Sequence, residues 1–98
     1  MMKIQFSNKA QNDLIEIWEY IFEKWSINQA DKYYGILIEA INGIATEPSI
    51  GKNYEHIRKE YCGFHIKSHI IFYRITNGDT LEIIRILHER MDLPNRLG

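Results

Sequence analysis

Residues 69–92, HIIFYRITNGDTLEIIRILHERMD, decide the fold. Two β-rich runs, Ile70 to Thr76 and Thr80 to Leu87, flank Asn77-Gly78, the dipeptide best suited to the positive φ angles of a tight hairpin turn. Both runs are apolar at nearly every position, so both faces of this hairpin are expected to be covered, and Arg74, Glu82 and Arg85 must be paired or aimed at a site. A three-residue loop at Asn77-Gly78-Asp79 sets Arg74 against Glu82, whereas a two-residue turn sets it against Leu81. The first register is expected, as a structural pair, because a mostly buried arginine is costly without a carboxylate close by.

Working backwards, Cys62, Phe64 and Ile66 alternate with Gly63, His65 and Lys67, which predicts a half-buried strand turning through Lys67-Ser68 into the hairpin. Tyr54 to Lys59 has no clear period, and Ser49 to Asn53 reads as a loop; Lys52, Arg58 and Lys59 there form a basic rim. Upstream lie two amphipathic helices. The first is capped by Ser7 and carries Ala10, Leu14, Ile17, Trp18, Ile21, Phe22 and Trp25 on its inner face, with Asn12, Asp13, Glu16, Glu19 and Glu23 outward. Ser26 to Gln29 has capping-box form and opens the second, whose stripe runs from Ala30 through Leu37 and Ile41 to about Thr46, before Pro48. So short a connection predicts an antiparallel αα-hairpin. Lys3 to Phe6 alternates as a short first strand, and Pro94 limits any last helix to a turn or two.

The expected fold class is therefore α+β, in the order βααβββ: an N-terminal strand and an antiparallel αα-hairpin packed on a C-terminal three-stranded antiparallel meander. With the helices over one face, layer count leaves the other face as a shallow concave surface. Ninety-eight residues suit a single domain, 1–98. The longest apolar run, Ile70 to Tyr73, is far short of the roughly 18 residues of a membrane span, and no apolar signal region follows Met1-Met2-Lys3; a cytoplasmic protein without membrane contact is expected. Net charge is −1, yet residues 1–51 hold four lysines against seven acids and residues 52–98 eight basic residues against six acids, so an anionic partner would meet the second half.

Several chemistries are excluded. The six glycines make no GxGxxG or phosphate loop, which argues against nucleotide enzymes. No HExxH occurs among His56, His65, His69 and His88, and the lone Cys62 supplies no thiolate cluster, so no metal or cofactor is expected; Cys62 reads as a buried filler. His65 and His69 stand four apart across the predicted turn, a polar rim by the simplest reading. The tail gathers Arg85, His88, Glu89, Arg90 and Asp92. Cleavage of RNA needs a base, a proton donor and cations for phosphorane charge, which His88, Arg85 and Arg90 could supply. The same residues with Met91 and Leu93 would serve equally as a protein interface.

Four segments, NKAQNDLIEIWEYI (8–21), QADKYYGILIEAINGIATEPSIG (29–51), SHIIFYR (68–74) and EIIRILHERMD (82–92), resemble those of the ParE toxins of the RelE/ParE superfamily over essentially the whole chain. The resemblance implies the toxin half of a bacterial type II toxin-antitoxin module, linked with plasmid stabilisation and growth arrest. Its implied partners are a cognate ParD-like antitoxin and DNA gyrase as target. No sequence-specific nucleic-acid binding by the toxin alone is implied. RelE-like relatives instead cleave mRNA in the ribosome. Their two arginines and C-terminal tyrosine fall, on an ungapped alignment at Phe72-Tyr73, at Ile70, Arg90 and Arg96; only Arg90 matches and no tyrosine follows Tyr73. The resemblance thus implies an inhibitor without chemistry of its own, with Arg74, Arg85, His88, Arg90 and Met91 as candidates for the antitoxin or target surface. The alternatives are a ribosome-dependent endonuclease using His88, Arg85 and Arg90, and an inactive homologue that only binds antitoxin.

Overall fold

The structure is a computed structural model that describes residues 1–97. The chain forms β1 (Lys3–Phe6), α1 (Asn8–Lys24), α2 (Ile27–Thr46), a 3-10 turn at Pro48–Ile50, β2 (Lys52–Asn53), β3 (Cys62–Ile66), β4 (His69–Thr76), β5 (Thr80–His88) and α3 (Leu93–Leu97). Each helix of the hairpin starts where a serine side chain replaces a missing intrahelical partner. Ser7 Oγ accepts from Ala10 N at 3.0 Å and Ser26 Oγ from Gln29 N at 3.1 Å. At the hairpin turn, Asn77 and Gly78 take positive φ, and Thr76 pairs with Thr80 across a three-residue loop. In that register Arg74 faces Glu82.

The sheet order is β1-β5-β4-β3-β2. The β3–β4–β5 meander is antiparallel, but the sheet is mixed and not wholly antiparallel, because β1 runs parallel to β5 from Lys3↔Thr80 to Phe6↔Ile83. The cause lies in the segment read as a loop and an unassigned stretch. There the 3-10 turn and β2, antiparallel to β3, add a reversal of the chain before the meander starts, so β5 returns along the direction of β1. Parallel pairing of strands so far apart in sequence is what an intervening helical layer permits.

The principal core lies between the helices and one sheet face: Ala10, Leu14, Leu37, Ile41 and Ile44 pack with Ile71, Tyr73, Leu81, Ile83 and Ile86. The other face is not the open concave surface expected from layer count. A second cluster covers it, with Ile70, Phe72 and Leu87 beneath Tyr61 and Leu97, joined by Tyr54, Ile57, Ile84 and Leu93. The near-continuous apolar character of β4 and β5 demanded this second cover, and the 54–61 stretch and α3 supply it. Two inner-face assignments on α1 also fail: Phe22 and Trp25 are exposed, while Asp13, assigned outward, is buried. Among the described residues no helix is long and apolar enough to cross a membrane.

Tyr73 ties the loop after α2 to the core. Its hydroxyl donates to Pro48 O and accepts from Gly51 N at 3.1 Å, and burial pushes its pKa up to about 12, so it remains a donor at all ordinary pH values. A Cβ on Gly51 would collide with this hydroxyl. Gly51→Ala should therefore lower stability by about 1–3 kcal/mol, the usual cost of overpacking, read as a lower denaturant midpoint at unchanged slope.

Candidate functional site

β1 ends at Phe6, opposite Ile83, so β5 runs on beyond it with an uncovered edge. A bulge falls there: the β4 pairing shifts between Tyr73↔Ile83 and Phe72↔Arg85, which leaves Ile84 as the extra residue. Side chains of α1 take over where the strand stops. Ser7 Oγ donates to Ile84 O at 2.7 Å, and Asp13 Oδ2 accepts from Ile86 N at 2.9 Å.

The same Asp13 carboxylate grips Arg85 in a two-pronged contact, Nε to Oδ2 at 2.8 Å and Nη2 to Oδ1 at 2.9 Å. Arg85 Nη1 donates in turn to Arg96 O at 3.1 Å, so one guanidinium joins α1, β5 and α3. The hydrogen bonds that Arg85 donates to Asp13 raise its pKa, against the opposing effect of burial. Arg85, a candidate for target binding or phosphate contact, is thereby occupied inside the structure. Arg74 is held at the far end of the hairpin, its Nε 2.6 Å from Glu82 Oε1, with the carboxylate raising its pKa. Arg74 stands five residues from His69 along β4, roughly 17 Å at strand rise, so the structure does not bring it to the tail candidates.

His88 does stand in a cluster. It pairs with His69 across β4 and β5, ring centroids 5.4 Å apart and nearly perpendicular. His69 Nδ1 lies 2.6 Å from the hydroxyl of Tyr33 on α2. Burial first, then the neighbouring His88, lower the pKa of His69 to about 4, partly offset by Asp13 and Glu89. Burial also raises the pKa of Tyr33. The proton therefore stays on the phenol, which donates to a neutral imidazole. Arg90 N donates to His88 Nδ1 at 3.1 Å, which places the His88 proton on Nε2 in this arrangement. His65 leaves the turn rim to meet Glu89 at 2.7 Å, an exposed pair. Arg90 and Met91 are exposed, and Leu93 joins the second cluster.

His69 and His88 open onto a cleft of about 440 Å³, lined also by Asp13, Glu16, Ile17, Tyr20, Ile21, Tyr33, Ser68 and Ile86. Among the described residues its charged lining is carboxylate, with no lysine or arginine. On the other flank of α1, a larger groove of about 710 Å³ is walled by Phe6, Leu14, Ile15, Trp18, Tyr34 and Ile38, with Glu19 and Asp31 at its rim. Trp18 stacks on Phe22 at 5.2 Å and donates to Asp31 at 2.9 Å. Among the described residues no three His, Cys, Asp or Glu side chains are placed to hold a metal ion. Cys62 is half-buried, and burial raises its pKa, which makes it a poor nucleophile.

The family profile described as "ParE toxin of type II toxin-antitoxin system, parDE" matches residues 4–93. The chain belongs to the ParE toxin family. It is 38% identical over 91 residues to Toxin ParE1 of Mycobacterium tuberculosis (strain CDC 1551 / Oshkosh), covering 93% of each chain. To Toxin ParE1 of Caulobacter vibrioides it is 37% identical over 98 residues, the full length of both. Among solved structures its fold is similar to a chain of the chromosomal ParDE system from P. aeruginosa, with a TM-score of 0.77 at 18% identity over 90% of this chain and 96% of that one. A chain of the RelBE2 toxin-antitoxin complex from Mycobacterium tuberculosis gives 0.66 at 19%, over 90% and 98%. This ParE-family chain is thus a toxin of a type II toxin-antitoxin system.

Asp13 and Tyr33 were not among the sequence candidates. Asp13 had a signal: it lies three residues after Ala10 and four before Ile17, inside the apolar stripe, where a carboxylate needs a cation. Tyr33 had none, because a tyrosine on a buried stripe reads as core.

Two outcomes follow. Asp13→Ala leaves a buried arginine and the Ile86 N–H unpaired and should cost about 3–5 kcal/mol in denaturant unfolding. His69 has a folded pKa below its unfolded one, so the unfolded chain binds the extra proton and stability should fall as pH drops from 6.5 towards 4. His69→Gln should flatten that part of the stability profile, and the His69 ring protons should titrate near pH 4 by NMR.

Proposed function

We propose that this toxin acts by binding DNA gyrase and is neutralised by a ParD-like antitoxin. The observation that carries the reading is the Arg85–Asp13 pair, because it withdraws from solvent the arginine that nucleic-acid cleavage would need beside His88. The cleft next to His88 offers carboxylates and no cations, a poor surface for a scissile phosphate. Together with family membership and the unmatched positions Ile70 and Arg96, this favours a binding protein over the mRNA-cleaving alternative. Of the tail candidates, Arg90 and Met91 remain exposed for target contact.

The antitoxin segment is assigned to the α1–α2 groove. Ile15 and Tyr34 are exposed in its walls, and exposed Phe22 stacks on its Trp18, which extends the apolar surface. Its acidic rim, Glu19 and Asp31, suits an amphipathic segment with basic flanks that folds on binding.

Purified toxin should inhibit gyrase supercoiling or cause cleaved DNA to accumulate, and the small protein encoded by the adjacent reading frame should reverse the effect. Growth arrest with neither gyrase effect sinks the gyrase assignment, and codon-phased mRNA cuts on expression would establish the alternative. Unaffected growth without the antitoxin would mark an inactive homologue.

A further inference from the structure

We infer that the cleft between α1 and the His69–His88 end of the sheet is a socket for an arginine side chain carried by the neutralising antitoxin segment. The inference deepens the antitoxin reading, but the socket can be tested on the toxin alone. The cleft is lined by Ile17, Ile21 and Ile86 and by the rings of Tyr20, Tyr33, His69 and His88. Of its two carboxylates, Asp13 is saturated by Arg85 and by Ile86 N. Glu16, one helical turn further on, makes no direct ion pair among the described residues, acts on Arg85 only at longer range, and is exposed.

A space of about 440 Å³ lined by aromatic rings and carboxylates, with no lysine or arginine among its described lining residues, is complementary to a flat cation with an aliphatic stem. Guanidinium meets this better than ammonium. It stacks on aromatic and imidazole faces while its N–H fork reaches a carboxylate, and its methylenes can lie on the isoleucines. The Tyr20 ring already has a cation of its own chain near it, Lys24 Nζ standing 5.8 Å from its centre. Charges facing the cleft from the packed elements are Glu16 and the Asp13–Arg85 pair, with Glu89 and Lys24 nearby.

Continuity selects the antitoxin as the source. Ile21 and Tyr33 line both this cleft and a smaller hollow with Trp25 and Gln29 at the end of the helical hairpin. A segment lying in the apolar groove on one flank of α1 can pass over Trp25 and reach the socket on the other.

The test is an NMR titration of the intact chain with N-acetyl-arginine amide, using N-acetyl-citrulline amide and N-acetyl-lysine amide as controls. Arginine amide is expected to bind with a dissociation constant on the order of millimolar, shifting the amides of Glu16, Tyr20, Tyr33, His69 and His88. Citrulline amide should cause no saturable shift, and lysine amide should bind about threefold more weakly or worse. Both Glu16→Gln and Tyr20→Ala, at exposed positions, should weaken arginine at least about fivefold while the folded spectrum is kept. Shifts spread over the surface carboxylates, equal binding of citrulline or of lysine, or indifference to Glu16→Gln overturns the socket. Those outcomes leave the gyrase and antitoxin assignments standing, since these rest on other surfaces.

Discussion

One carboxylate closes the edge of the sheet where its neighbouring strand runs out. β1 covers β5 for only four residues, and past the bulge at Ile84 the backbone of β5 would face α1 with unpaired groups. Asp13 satisfies Ile86 N and holds the Arg85 guanidinium, which is fastened on its other side to Arg96 O. Buried ion pairs are weak sources of net stability, because desolvation offsets their attraction. In the arrangement that this pair joins, α1, β5 and α3 leave no buried polar side-chain atom unpaired among the described residues.

That arrangement divides the surface. One flank of α1 carries the broad aromatic groove and the other the narrow cleft with His69 and His88, while the hairpin turn with Arg74 and Glu82 lies at the far end of the sheet. Residues that the sequence grouped by charge are thus sorted by location. Arg85 belongs to the interior framework, Arg74 is matched locally, and Arg90 and Met91 are left facing solvent.

Where one local rule decided the outcome, the sequence was readable. Asn77-Gly78-Asp79 set the hairpin, Ser7 and Ser26 marked the helix starts, and Pro48 followed the end of α2. Three features depended on distant partners and were not legible. The parallel seating of β1 needed the extra reversal at β2, two residues long and too short for any periodicity. The cover on the second face comes from Tyr61 and Leu97, which carry no pattern by themselves. Asp13 was placed outward because charge outweighed position, although its place in the stripe and the unpartnered Arg85 pointed to one another.

The parallel pairing of β1 with β5 also orders events in time. The strands that must meet lie at opposite ends of the chain, and Asp13 and Arg85 are 72 residues apart. The α1–α2 hairpin, made of local contacts, precedes in the chain Ile83 and Ile86, which pack against its inner face. Such a topology folds late, and until it does the hairpin presents apolar surface on both sides. During synthesis the helices therefore emerge before the strands that cover them. A partner that recognises the helical hairpin can engage the chain at that stage, before β5 and the residues around His88 have taken their places.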